Sequence, residues 1–213
     1  GDMDYLYKLI YKGSRFSFCL MLFFALPVCL NTHFVLKIWL GIVPDHTVWF
    51  ARLMMCFVML EALSNTIVIA VKATEKIKKY QIVVGGLQML NLPLTYLAFK
   101  LGSPSECQLI IAILVGHITL VARLFMTKKL LGLSPLLFFR KVYLNVVSIA
   151  VAAMVIPLTI TKTIEEGWTC FVISTLLSLL SVLMSAYLVG CDKEEKMMLR
   201  GKLVKLYCKI TRK

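Results

Sequence analysis

The amino-acid sequence predicts an all-α fold, a polytopic transmembrane helix bundle of about six spans. Three observations carry that prediction: bulk composition, apolar runs of membrane-crossing length, and basic residues gathered on one side of those runs. The chain has 213 residues, 60% hydrophobic and only 16% charged, whereas an ordinary water-soluble domain is about half apolar and a quarter charged. Its mean hydropathy is +0.84. A single core in a chain of this size does not hide so much apolar surface from water, because surface grows too fast with size. Lipid as the surrounding solvent removes the difficulty.

A hydrocarbon layer about 30 Å thick takes roughly 20 helical residues at 1.5 Å each. Six stretches approach that length: 16–36, 48–71, 82–101, 109–126, 142–160 and 169–190. Pro27, Pro93 and Pro157 fall inside spans and are expected to kink them, which membrane helices tolerate. Ahead of the first span, residues 1–15 place Leu6, Tyr7, Ile10 and Tyr11 at helical spacing beside Lys8, Lys12 and Arg15. That pattern is expected of a cytoplasmic amphipathic elbow lying in the inner headgroup layer. Residues 191–213 form a basic cytoplasmic tail in which Met197, Met198, Leu203, Val204 and Leu206 suggest similar lipid contact.

Orientation follows from the basic residues. Lys8, Lys12 and Arg15 precede the first span; Lys72, Lys76, Lys78 and Lys79 join the second to the third; Lys128, Lys129, Arg140 and Lys141 join the fourth to the fifth. The tail adds Lys193, Lys196, Arg200, Lys202, Lys205, Lys209, Arg212 and Lys213. The opposite loops hold Asp45, Glu106, Glu165 and Glu166, with Lys162 between spans. Both ends of the segment are therefore expected in the cytoplasm. Trp39, Trp49 and Trp168 all fall at the opposite ends of spans, as residues with an apolar ring and a polar N–H prefer.

The net charge of +13 is thus a topology signal rather than a nucleic-acid surface, and no nucleic-acid partner is expected. The seven cysteines lack CxxC spacing and histidine companions, so no metal site is expected and they read as small apolar residues. No N-glycosylation sequon and no cleavable signal occur. Gly1-Asp2-Met3-Asp4-Tyr5 reads as the middle of a loop, so the chain is expected to be a fragment. Without a phosphate-cradling glycine loop, an HExxH, a GxSxG or a working pair of carboxylates, neither catalysis nor a cofactor is expected.

Ionisable side chains within spans cost about 2.5–3.5 kcal/mol on insertion scales and need a partner, a wet cavity or a function. Glu61 lies near the middle of the second span, with Ser64, Asn65 and Lys72 on the same helical face. It reads either as a cavity-lining or ion-coupling carboxylate or as a neutral inter-helix hydrogen-bonding group. Arg52, about a turn inside that span beside Trp49, either snorkels to headgroups or points into a cavity. Arg123, near the inner end of the fourth span, is expected to snorkel, and His117 reads as a hydrogen-bonded structural residue that would titrate near neutral pH if wet. In the third span Gln81, Gln88, Asn91 and Thr95 form a polar stripe next to Pro93, suited to lining a path or joining helices. In the sixth, Ser174, Ser178, Ser181 and Ser185 share one face and are expected to permit close packing.

Several segments taken together resemble one family. They are Arg15-Phe16-Ser17-Phe18, Ala25-Leu26-Pro27-Val28, Leu36-Lys37-Ile38-Trp39-Leu40-Gly41 and Val43-Pro44-Asp45-His46-Thr47. Ala62-Leu63-Ser64-Asn65, Ala73-Thr74-Glu75-Lys76-Ile77-Lys78, Tyr80-Gln81-Ile82-Val83-Val84-Gly85-Gly86 and Leu90-Asn91-Leu92-Pro93-Leu94 extend the likeness. The pattern resembles the polysaccharide-type flippases of the multidrug, oligosaccharidyl-lipid and polysaccharide exporter superfamily. Glu75 stands where a glycine is the family's habit in the loop after Asn65. The resemblance implies the second six-helix lobe of an alternating-access transporter, with a missing amino-terminal lobe as the other cavity wall. It implies an undecaprenyl-pyrophosphate-linked oligosaccharide as substrate, carried across the bacterial inner membrane for surface polysaccharide such as O-antigen or capsule, with a polysaccharide polymerase as a further partner. Arg52, Arg123, Asn65 and Asn91 are then candidates to line the passage of the pyrophosphate, with Glu61 and His117 beside them. Two rival readings stand next to it: an ion-coupled multidrug antiporter of the same fold, and a non-transporting membrane scaffold.

Overall fold

The computed structural model describes residues 3–74, 77–163, 167–190 and 197, and every regular element among them is helical. The basic tail apart from Met197, the loop residues Glu75 and Lys76, and Glu165 and Glu166 lie outside the described residues. Nine α-helices follow in chain order: α1 (Met3–Leu30), α2 (Thr32–Leu40), α3 (Thr47–Lys72), α4 (Ile77–Met89), α5 (Asn91–Lys100), α6 (Cys107–Leu131), α7 (Pro135–Phe138), α8 (Leu144–Thr163) and α9 (Trp168–Ser185). π-helical turns at Phe139–Tyr143 and Ala186–Gly190 join α7 to α8 and extend α9. The helical runs Met3–Leu30, Thr47–Lys72, Ile77–Lys100, Cys107–Leu131, Pro135–Thr161 and Trp168–Gly190 are each long and apolar enough to cross a membrane. The chain is a multi-pass membrane protein in architecture.

Several helix ends have a local cause that the sequence pattern shows only in part. Residues 3–15 do not form a separate elbow; α1 runs without interruption from Met3 to Leu30. Ile10, Ser14 and Arg15 are buried against the bundle, so this segment extends the first span. The first break comes at Asn31, whose backbone N–H and side-chain Nδ2 both donate to the Pro27 carbonyl, at 3.2 and 2.9 Å. Helix α4 stops at Met89 and α5 starts at Asn91, because Pro93 has no N–H for the Met89 carbonyl and its ring crowds that oxygen. By contrast, α8 is continuous through Pro157. The fifth span starts at Pro135 rather than residue 142; proline suits the first helical position, where an N–H has no partner anyway. Arg140 and Lys141, expected in a loop, are therefore helical.

The helices stand side by side in a fixed order. α9 and α8 pack on each other and on α1, α1 packs on α3, α3 on α6, and α6 on α4 and α5. Lipid is as apolar as the side chains, so such contacts rest on close packing and inter-helix polar bonds. A Cβ on Gly13 would meet Thr66 Cγ2 at 2.9 Å, and one on Gly116 would meet Leu60 Cδ2 at 2.9 Å. These glycines let α1 approach α3 and α6 approach α3. The serine face of α9 is buried, with Ser181 donating to the Ala153 carbonyl of α8 at 2.8 Å. Asn31 donates to Ser174 Oγ at 2.9 Å and ties the α1 break to α9. At the far edge, α5 has no fully buried residue and its large side chains, such as Leu92 and Tyr96, face outward.

The bundle has two chemically distinct ends. At one, Trp39 closes α2 while Trp49 and Trp168 open α3 and α9; Phe34 and Trp168 rings lie 5.4 Å apart. At the other, Lys72, Lys128, Lys129 and Arg140 cluster at helix ends, and Arg15 donates to the Gly190 carbonyl at 2.9 Å. The described segment thus begins and ends at its basic end.

Candidate functional site

In the middle of the bundle α3 and α6 each place one charged side chain on their shared face. Arg123 Nη1 donates to Glu61 Oε2 at 3.1 Å. The arginine side chain is 7% exposed and the glutamate 28%. Arg123 therefore does not snorkel to the basic end. Removing two charges from water is costly, and a carboxylate at hydrogen-bond distance is what makes a buried guanidinium tolerable.

The pair is not fully satisfied. Arg123 Nε is buried with no hydrogen-bond partner, and so is the hydroxyl of Tyr80 on α4. Tyr80 is almost wholly buried, and the charges of both Arg123 and Glu61 act on it. Buried donors usually find an acceptor, so Arg123 Nε and the Tyr80 hydroxyl are two donors with capacity left for an additional acceptor. Ser64, one turn from Glu61, is buried, whereas Asn65 is exposed and makes no side-chain hydrogen bond among the described residues. Of the third-span stripe, Gln81 and Gln88 are exposed. Asn91 is half-buried, with its Oδ1 buried and unpartnered.

His117 has both ring nitrogens engaged. Because a backbone carbonyl only accepts, Nδ1–H donates to Ile113 at 2.8 Å, leaving Nε2 to accept from the Tyr143 hydroxyl at 3.1 Å in the neutral ring. Tyr143 reaches it from the π-helical turn, where its ring also stacks on Phe139 at 4.9 Å. Above this bond lies a cavity of about 210 Å³, floored by α1 and α3 and walled by α6 and α8. Its lining is apolar, with Leu22, Leu26, Met59, Val147 and Met154 among the contributors.

Arg52 is elsewhere. It lies nine residues before Glu61 on α3, about 13 Å along the axis at 1.5 Å per residue. Its Nε donates to the Cys29 carbonyl at 3.1 Å and its guanidinium sits 5.8 Å from the Trp49 ring centroid. The Asn31 break exposes carbonyls at the end of α1, and a cation suits that negative end of the helix dipole. At the same end, the loop histidine His46 contacts the Glu106 carboxylate. Glu106 is held below the usual carboxylate range, first by a hydrogen bond from its own backbone N–H and then by His46.

Of the sequence-based candidates, then, the fold joins Glu61 to Arg123 and leaves Arg52, Asn65, Asn91 and His117 with separate surroundings. Tyr80 and Tyr143 were not among the candidates; a tyrosine hydroxyl inside a span needs a partner as much as a charge does, and that was the available signal. No protein-family model matches this chain, and neither a curated protein nor a solved structure is found similar to it.

Proposed function

We propose that this chain is the second lobe of a flippase that carries a polyprenyl-pyrophosphate-linked oligosaccharide across a bacterial inner membrane. The observation that carries the reading is the Glu61–Arg123 pair with the spare donors of Arg123 Nε and Tyr80; the family resemblance set out above supplies the substrate class. A pyrophosphate crossing hydrocarbon needs charge-assisted hydrogen bonds along its path. Arg123 offers a guanidinium that exchanges its carboxylate partner for a phosphate oxygen, with Tyr80 as a second donor. The absent amino-terminal lobe completes the cavity, while the polyprenyl tail stays in lipid.

The antiporter alternative asks for a carboxylate free to bind a cation, and the Arg123 guanidinium already neutralises Glu61. Reconstitution of the complete protein in vesicles tests the proposal. A fluorescent lipid-linked oligosaccharide analogue should change leaflet far faster than in protein-free vesicles, and Glu61→Gln should slow it at least about tenfold, a difference of about 1.4 kcal/mol. Movement no faster than in protein-free vesicles, with the helices intact by circular dichroism, refutes it.

A further inference from the structure

The apolar cavity and Arg52 meet at Cys29, which lines the first and offers its carbonyl to the second. α1 runs from the basic end to the tryptophan end and α3 runs back, so Phe18, Leu63, His117 and Tyr143 mark the cavity's basic-side end while Cys29 and Cys56 mark its tryptophan-side end. The His117–Tyr143 hydrogen bond joins the α6 wall to the foot of the α8 wall at the first of these. Arg52 stands at the second: it bonds the carbonyl of Cys29 and lies one turn from Cys56. Only Nε is committed, to Cys29 and at 3.4 Å to Thr32 Oγ1. Among the described residues no carboxylate pairs with Arg52, and its two terminal nitrogens make no hydrogen bond.

We infer that this is a binding site for an anionic phospholipid, one whose headgroup leaves the phosphate charge uncompensated. The phosphate sits on the free nitrogens of Arg52 at the tryptophan end, and one hydrocarbon chain descends into the cavity between α6 and α8. That leaflet is the outer one in the orientation the charges suggest. Charge complementarity chooses the occupant. An uncompensated guanidinium one turn inside a span attracts a phosphodiester, which it grips through two parallel N–H donors. Apolar cavities near this size, about 150 Å³, stay dry and take apolar solutes, and within the span region the abundant apolar solute is a lipid chain. Ordinary annular lipid touches convex helix faces without a fixed headgroup; here a concave slot and a fixed cation lie in line. The site stands apart from Arg123 and does not rest on the transport proposal.

Trp49, against the Arg52 guanidinium, reports on the site. In the full chain with Trp39→Phe and Trp168→Phe, both at exposed tryptophans, Trp49 fluorescence is titrated with chain-brominated phosphatidylglycerol or chain-brominated phosphatidylcholine in vesicles. The anionic lipid should reach half-quenching at about a tenfold lower mole fraction, the worth of one charge-assisted hydrogen bond. Arg52→Gln should remove that preference. Val147→Phe, which fills the slot and leaves Arg52 in place, should weaken quenching by the anionic lipid at low mole fraction. Millimolar inorganic phosphate should not displace the lipid. Equal quenching by the two lipids, a preference that survives Arg52→Gln in a protein of unchanged helicity, quenching indifferent to Val147→Phe, or displacement by inorganic phosphate would each overturn the inference.

Discussion

Arg52 and Arg123 are the two arginines that the sequence places within spans, and the fold treats them oppositely. Arg123 is buried between α3 and α6 with a carboxylate beside it. Arg52, at the tryptophan end of α3, has a backbone carbonyl and an aromatic ring for company and keeps its outer nitrogens open. The comparison teaches that depth alone does not decide what a cation in a membrane helix is for. A neighbour of opposite charge turns it into part of a core, whereas a helix break and a concave apolar wall turn it into an offered contact.

Removing one partner of the central pair should have the largest effect. Arg123→Leu leaves Glu61 facing apolar neighbours, and Glu61→Gln leaves a buried guanidinium uncompensated. Lone buried charges of this kind cost about 3–5 kcal/mol, and the partial exposure of Glu61 lowers the expectation here to about 2–3. Thermal unfolding in detergent, followed by circular dichroism, measures it.

The close contact of Gly116 with Leu60 on the α3–α6 seam distinguishes the two arginines. Gly116→Leu drives α6 away from Leu60, the neighbour of Glu61, and overpacking of this sort costs about 1–3 kcal/mol. Its effect should be non-additive with Glu61→Gln and additive with Arg52→Ala, since distant sites add within about 0.5 kcal/mol. Additivity with Glu61→Gln would show that the Gly116 seam does not set the geometry of the pair. Arg52→Ala alone forfeits an N–H shared between the Cys29 carbonyl and Thr32 Oγ1 and a ring contact, about 1 kcal/mol in all, less than either change at the pair.

The smallest effect belongs to the loop contact of His46 with Glu106. Because the folded carboxyl is held below its ordinary value, its contribution to stability is present above the unfolded value of about 4.3 and is lost as pH falls through the lower folded value. Glu106→Gln should remove that small contribution at neutral pH and flatten the stability profile through the acid window, so that variant and parent converge below the folded carboxyl's value in thermal unfolding followed across pH.

Much of this architecture was legible in the sequence. A span must be a long apolar run, and each expected run from 48–71 onward overlaps one span-length helix. The break at Asn31 was not visible, because it depends on Asn31 reaching both Pro27 and Ser174 of a distant helix. The π-helical turn before α8 escaped for a similar reason: its Tyr143 is held by His117 across the bundle. The Glu61–Arg123 contact had a readable signal that went unused. Glu61 precedes the end of α3 by eleven residues and Arg123 the end of α6 by eight, and both helices run toward the basic end. At 1.5 Å per residue the two side chains lie within about one turn in depth, so a buried charge seeking a partner had a candidate at its own level.

The central claim is that the α3–α6 pair takes part in moving a charged headgroup and is more than adhesive between helices. It is tested most directly by replacing both partners at once, Glu61→Met with Arg123→Leu, in the complete protein, and measuring surface polysaccharide beside protein level. An apolar pair of similar volume is expected to hold the helices together about as well. The account predicts normal protein abundance and lost export. Normal export at normal abundance would contradict it and leave the pair as glue.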